Sequence, residues 1–200
     1  MSKAIATFLS SAMVTKVGYY QPFLLAGGIL ATIGAGLIYT FDLTSGLGPI
    51  IGYQILYGTG TGLVQIPVVV AGALSSTDDQ AITMATVLFF QIISAAYGVG
   101  STDSIMNNLL LKSIPKYMED IHPEEVISAG SSGLEEVFSG SELLGARRSY
   151  LDGLHGSWAM GIALFGLTFL CALIPKRGGK VPRPSEKGGK DEQGNFVPMA

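Results

Sequence analysis

What constrains this 200-residue chain most is where its charges are missing. From residue 23 to 41 the run FLLAGGILATIGAGLIYTF holds no ionisable group except Tyr39, and from residue 47 to 72 there is again no charge. A helix rises about 1.5 Å per residue and needs about 20 apolar residues to cross a hydrocarbon core of about 30 Å. A soluble core helix would interrupt its apolar stripe with charge at nearly every turn. Here the charges sit in blocks, and at 14% of the chain they fall well below the roughly 25% of a soluble domain. The expected fold class is all-α, a polytopic membrane helix bundle.

Read on that basis, the chain resolves into four full spans at about 22–41, 47–72, 80–111 and 153–174. The apolar segment from Ala4 to Thr15 reaches only about 18 Å as a helix, too short to cross, and residues 1–15 are expected to be the end of a truncated membrane helix. A signal peptide is the weaker reading of this start. No small-residue cleavage pattern follows Val14, and a new apolar run begins shortly after Lys16. Asp42, Ser45 and Gly46 mark the first turn. Ser75, Ser76, Thr77, Asp78 and Asp79 mark the next and suit a helix N-terminus, where oxygen ligands and negative charge are favoured.

Residues 112–152 form a polar segment with scattered apolar positions, expected as an outer loop of short amphipathic helices at the surface. Residues 175–200, rich in Gly, Pro and charge, cannot bury enough apolar area to fold and are expected to be a disordered cytoplasmic tail. Lys176, Arg177, Lys180 and Arg183 crowd behind the last span, and retention of basic residues places the C-terminus inside the cell. Alternation puts Lys16 inside and the 112–152 segment outside, with Arg147 and Arg148 as exceptions to the rule.

The polar groups left inside apolar runs are the candidates for chemistry. Gly58, Gly60 and Gly62, followed by Pro67, concentrate helix-weakening residues in the second span, as expected for helix packing or for a helix that bends. Gln54 and Gln65, with Tyr53 and Gln91, are candidates for lining a substrate path, because a carboxamide in hydrocarbon needs a partner. Interhelical hydrogen bonding explains the glutamines equally well. Asp103 shares a helix face with Asn107. Buried at membrane depth it would be a protonation candidate, and near the outer mouth it would be an ordinary solvated carboxylate.

Several classes are set aside. The net charge of −3 opposes nucleic-acid binding. The lone Cys171 has no disulfide partner, and Asp152 with His155 is too small a set to predict a metal. No nucleophile motif, zinc pattern or phosphate loop is present, so neither catalytic residues nor a cofactor are expected and the chain is not expected to be an enzyme. A non-transporting tetraspan protein packed against a larger membrane partner is the alternative, although the outer segment has no cysteines for a disulfide scaffold.

The stretch SSAMVTKVGYYQPFLLAGGILATIGAGLIYTF resembles the late helices of fungal fourteen-spanner drug:proton antiporters of the major facilitator superfamily. Lys16, Gly18, Tyr19, Tyr20 and Pro22 match the family's basic turn with an aromatic pair. Gly52, Gln54, Gly58, Gly60, Gly62, Gln65 and Pro67 match the glycine-rich helix that follows. Phe89, Phe90, Gln91, Ile105, Asn107 and Leu109 are similar to the penultimate helix, so the resemblance covers residues 1–175. It implies the C-terminal part of a major facilitator fold, working in proton-coupled efflux of small amphipathic compounds such as drugs or toxins at the plasma or vacuolar membrane. It further implies that the partners are membrane lipid, the small-molecule substrate, protons and the missing N-terminal helices. The family's acidic coupling residues lie on those earlier helices, and none transfers to this sequence.

Overall fold

The computed structural model describes residues 1–17, 19–67, 70–71, 75, 78–118, 121–174, 189–190 and 196–197. The described chain is all-α apart from one small pairing. Its helices are α1 (Ser2–Val17), α2 (Gln21–Tyr39), α3 (Leu47–Val64), α4 (Gln80–Tyr117), α5 (Pro123–Val137) and α6 (Gly140–Ala172). Gly189–Lys190 and Phe196–Val197 pair as two antiparallel two-residue strands. The rest of the 175–200 tail lies outside the described residues.

Among the described residues, three helices are long and apolar enough to cross a membrane: α2, α4 and α6. α2 starts on Gln21-Pro22, where the missing proline N–H is one of the helix's unsatisfied donors anyway. It ends in a tight polar turn in which Ser45 N donates to Asp42 O (2.9 Å) and Asp42 N donates to Ser45 Oγ (2.9 Å). α3 is 18 residues long and stops at Val64, short of the expected end at 72. Gln65 N closes the last turn onto Gly62 O (3.3 Å). Pro67 lacks an N–H and disfavours helical backbone at Ile66, which accounts for the interruption. A helical bond from Val70 N to Ile66 O (3.1 Å) follows it.

α4 runs for 38 residues, about 57 Å, and α6 for 33 residues, about 50 Å. Both exceed a bilayer. α4 passes the expected boundary at 111 and continues through Pro115, which removes the donor for the Leu111 carbonyl at a half-exposed residue. α6 begins thirteen residues before the expected 153. Within the segment expected as surface helices, residues 112–117 continue α4, residues 140–152 open α6, and α5 is a separate short helix between them.

The described chain divides into two compact units: Met1–Thr32, Ile55–Ile92 and Phe165–Ala200 in the first, Ile33–Gln54 and Ile93–Leu164 in the second. In the first, Val14, Ile66 and Val70 form a small core with Tyr20 and Phe23 against it. In the second, Leu110, Ile114 and Met118 of α4 and its exit pack on Val126, Leu134 and Phe138 of α5 and its exit, with Ala146 of α6. α5 starts on Pro123 with Glu124 and Glu125 in its first turn, where the helix dipole favours negative charge. It kinks at Gly130, whose φ of 64° is a left-handed conformation that glycine adopts without a Cβ penalty.

Candidate functional site

In the first unit, neighbouring helices come close against the glycines of α3. Residues 58 and 62 share one face and residue 60 lies nearly opposite. On one side, a Cβ at Gly62 would stand 2.7 Å from both Ala6 Cβ and Lys3 O of α1, and one at Gly58 would meet Ser2. On the other, a Cβ at Gly60 would stand 2.7 Å from Ala31 Cα and from the Leu30 carbonyl carbon of α2. The alternating glycines thus let two helices approach the α3 backbone from opposite sides. Thr7 Oγ1 reaches across to Gly62 O at 3.2 Å while lying 2.9 Å from Lys3 O, so one hydroxyl proton serves two carbonyls. Gly28 gives α6 the same access to α2, where a Cβ would sit 3.1 Å from Phe169 Cβ. With no hydrophobic driving force between helices in lipid, such backbone-to-backbone packing is a principal source of cohesion.

The polar candidates fall in both units. In the second, Tyr53 stacks on Phe41 at 5.5 Å between centroids with 10° between planes, and Gln54 is exposed. In the first, Gln65 is half-buried where α3 ends, and Gln91 is half-buried on α4. Asp103 is exposed on α4, Asn107 is half-buried, and Asn108 Nδ2 donates to Ser104 O (2.7 Å) within the same helix. Pro67 is exposed.

Asp152 and His155 turn to different partners. Ser113 Oγ donates to Asp152 Oδ2 (2.9 Å), joining α4 to α6. His155 Nε2 lies 2.9 Å from Phe41 O, and since a carbonyl can only accept, this nitrogen carries a proton. The Tyr39 ring lies 4.9 Å from the imidazole. Among the described residues, no group of three or more His, Cys, Asp or Glu is arranged to hold a metal ion.

The first unit also contains a cleft of about 240 Å³ that sequence reasoning did not identify, lined by Tyr20, Gln21, Leu24, Val64, Pro67 and Cys171 among others. Gln21 Nε2 donates to Ala172 O (3.4 Å), satisfying one of the carbonyls a helix end leaves open. The only sequence signal for this cleft was the polar Gln21 beside Pro22 at the start of an apolar run. Nothing local in the sequence pairs it with the end of α6.

The chain is similar to fungal transporters. An MFS-type transporter of Pestalotiopsis microspora is 35% identical over 175 residues, covering 87% of this chain and 32% of the relative. An efflux pump of an Aspergillus species is 34% identical over 197 residues, covering 96% of this chain and 34% of the relative. The dehydrocurvularin exporter of Alternaria cinerariae is 30% identical over 190 residues, covering 94% and 32% respectively. The chain therefore spans about a third of the length of the curated relatives it matches. No family model matches it, and no solved structure matches it.

Proposed function

We propose that this chain is the C-terminal portion of a fungal major facilitator-type exporter, of the fourteen-spanner drug:proton antiporter branch, which moves small amphipathic compounds such as drugs or toxins. The observation that carries this reading is the similarity, over 87% of the chain, to a protein named as a transporter, together with similar coverage by efflux pumps and an exporter. The physical character of the chain agrees with it, since α2, α4 and α6 have the length and apolarity of membrane spans.

In this reading α3, which carries no charged residue, belongs to a fourth span. That span covers about 47–72, and the other spans occupy about 22–41, 80–111 and 153–174. Residues 112–152 face outward, the tail lies in the cytoplasm, and the protein sits in the plasma or vacuolar membrane. Tyr53, Gln54, Gln65 and Gln91 line the substrate path, with α3 able to bend at its glycines and at Pro67. Asp103, exposed near the outer end of its span, is a solvated carboxylate. Proton coupling belongs to helices outside this sequence. The chain does no covalent chemistry and works with lipid, substrate, protons and the remaining helices.

Transport by rocking halves needs two pseudo-symmetric bundles around a midplane site, and one third of such a protein supplies part of one. The testing experiment expresses this chain alone, and fused behind the preceding two thirds of the Pestalotiopsis relative, in cells loaded with a fluorescent amphipathic drug. The fusion lowers cell fluorescence and a protonophore reverses the effect, whereas the chain alone does neither. A fusion that inserts in the membrane yet leaves drug retention unchanged contradicts the proposal.

A further inference from the structure

The buried residues of the two longest helices are confined to one end of each. Along α4 they are Leu110, Ser113 and Ile114, and along α6 they are Gly145, Ala146, Ser149 and Gly153. The most apolar 18-residue window of each helix contains no buried residue at all. Lys112 and Lys116 on α4, and Arg147, Arg148 and Asp152 on α6, belong to the same ends. With some 27 Å of α4 in excess of a bilayer, these charged ends are the parts that leave the hydrocarbon.

We infer that α5 is an extramembrane strap which fixes α4 to α6, so that the pair is held as one body chiefly by a water-excluding core outside the membrane. This rests on the membrane reading given above, and it concerns the chain itself rather than its transport. The physical reason is a difference in driving force. In water, burying Val126, Leu134 and Phe138 against Ile114, Met118 and Ala146 gains about 1.5–3 kcal/mol per large side chain. Between helices in lipid that term vanishes, because the acyl chains are as apolar as the side chains.

Polar links tighten the same end. Tyr150 Oη donates to Val126 O (3.2 Å), tying α6 to α5, and Ser113 Oγ donates to Asp152 Oδ2, tying α4 to α6. Arg147 pairs with Glu135 across α6 and α5. Small residues bring the helices together: a Cβ at Gly145 would lie 2.7 Å from Met118 Cγ, and one at Gly153 would lie 3.0 Å from Met106 O. Farther along, a Cβ at Gly156 would still meet Leu109 and lie 3.0 Å from Ile105 Cγ2, Ser157 Oγ bonds Thr102 O (3.3 Å) and Thr102 Oγ1 makes a weak contact with Met160 Sδ (3.9 Å), but no described residue of α6 past Gly153 is buried.

The test places spin labels at Val99 of α4 and Ala159 of α6, both exposed, in a Cys171→Ala background reconstituted into phosphatidylcholine nanodiscs. Electron-electron resonance reads the distance between them, and hydrogen exchange reads protection over 123–137. The parent gives one narrow distance, and Val126→Asp raises exchange in α5 more than tenfold and broadens the distance distribution. Ile92→Ser, on an exposed part of α4, changes neither. A distribution that stays narrow while α5 exchanges freely overturns the inference, because the pair is then held inside the membrane. If Val126→Asp does not insert, Tyr150→Phe removes only the link to Val126 O and carries the same prediction at smaller size. Faster α5 exchange with broadening supports the strap, and faster exchange without broadening overturns it. Neither readout depends on export, so failure of the transporter reading leaves a separate signature in the drug assay.

Discussion

Gly60 of α3 and Ala31 of α2 meet backbone to backbone: a methyl group added at residue 60 would stand 2.7 Å from Ala31 Cα and closer still to Ala31 N. The listening partner is main chain, which cannot swing aside as a side-chain tip does. Gly60→Ala therefore destabilises the chain by at least about 1–3 kcal/mol, the usual cost of overpacking. Gly36, on the same α2, has nothing within 4 Å of its would-be Cβ, so Gly36→Ala is neutral or stabilising by up to about 1 kcal/mol. Thermal unfolding of both variants in one detergent checks the pair. Equal midpoints would show that the close approach carries no stability.

Ser113 is buried and its hydroxyl donates to the Asp152 carboxylate. A hydrogen bond to a charged acceptor contributes about 1.5–3 kcal/mol, so Ser113→Ala loses about that much at the α4–α6 junction. Proteolysis of the 112–152 region should speed up by roughly ten- to hundredfold. An unchanged cleavage rate would mean the carboxylate finds water at no cost.

Tyr150 is held above the ordinary tyrosine pKa by burial, which penalises the phenolate. The folded state binds this proton more tightly than the unfolded chain does. Its contribution to stability is therefore complete below pH 10 and declines as pH rises through the raised folded value. Exchange over 123–137 should accelerate above pH 10 beyond the intrinsic chemical rate. Tyr150→Phe should remove that excess while being less protected at pH 7, and an identical pH profile in both would exclude Tyr150 as the cause.

If Gln65 and Gln91 line the path, Gln65→Ala and Gln91→Ala in the fused transporter change drug export several-fold, with different ratios for different drugs. Asp103→Asn leaves export and its proton dependence within twofold, because the carboxylate is exposed. A loss of proton dependence in Asp103→Asn would move the coupling group onto α4.

How much the sequence could reveal follows from what each feature depends on. The spans at α2, α4 and α6 were legible because the absence of charge over a membrane thickness is a local signal. So was the turn at Asp42, Ser45 and Gly46, whose side chain and backbone bonds lie within four residues. The glycines of α3 were conspicuous, but their alternation between α1 and α2 depends on which helices lie on either side, and spacing alone does not say that. Hydropathy continues past Val64, where α3 breaks, and Pro67 was the local signal of that break. The core joining Leu110, Val126 and Ala146 was hidden for a different reason. Its residues come from three helices and look, one segment at a time, like the scattered apolar positions of surface helices. The cleft at Gln21 and Cys171 brings together residues 150 positions apart, which no local pattern encodes.

Whether this chain supplies part of a drug exporter, as proposed, is decided by drug retention in cells carrying the chain alone or fused behind the preceding two thirds of its Pestalotiopsis relative. Only the fusion should lower retention, and a protonophore should restore it. Retention unchanged by a fusion that reaches the membrane, or lowered equally by the chain alone, would contradict the proposal.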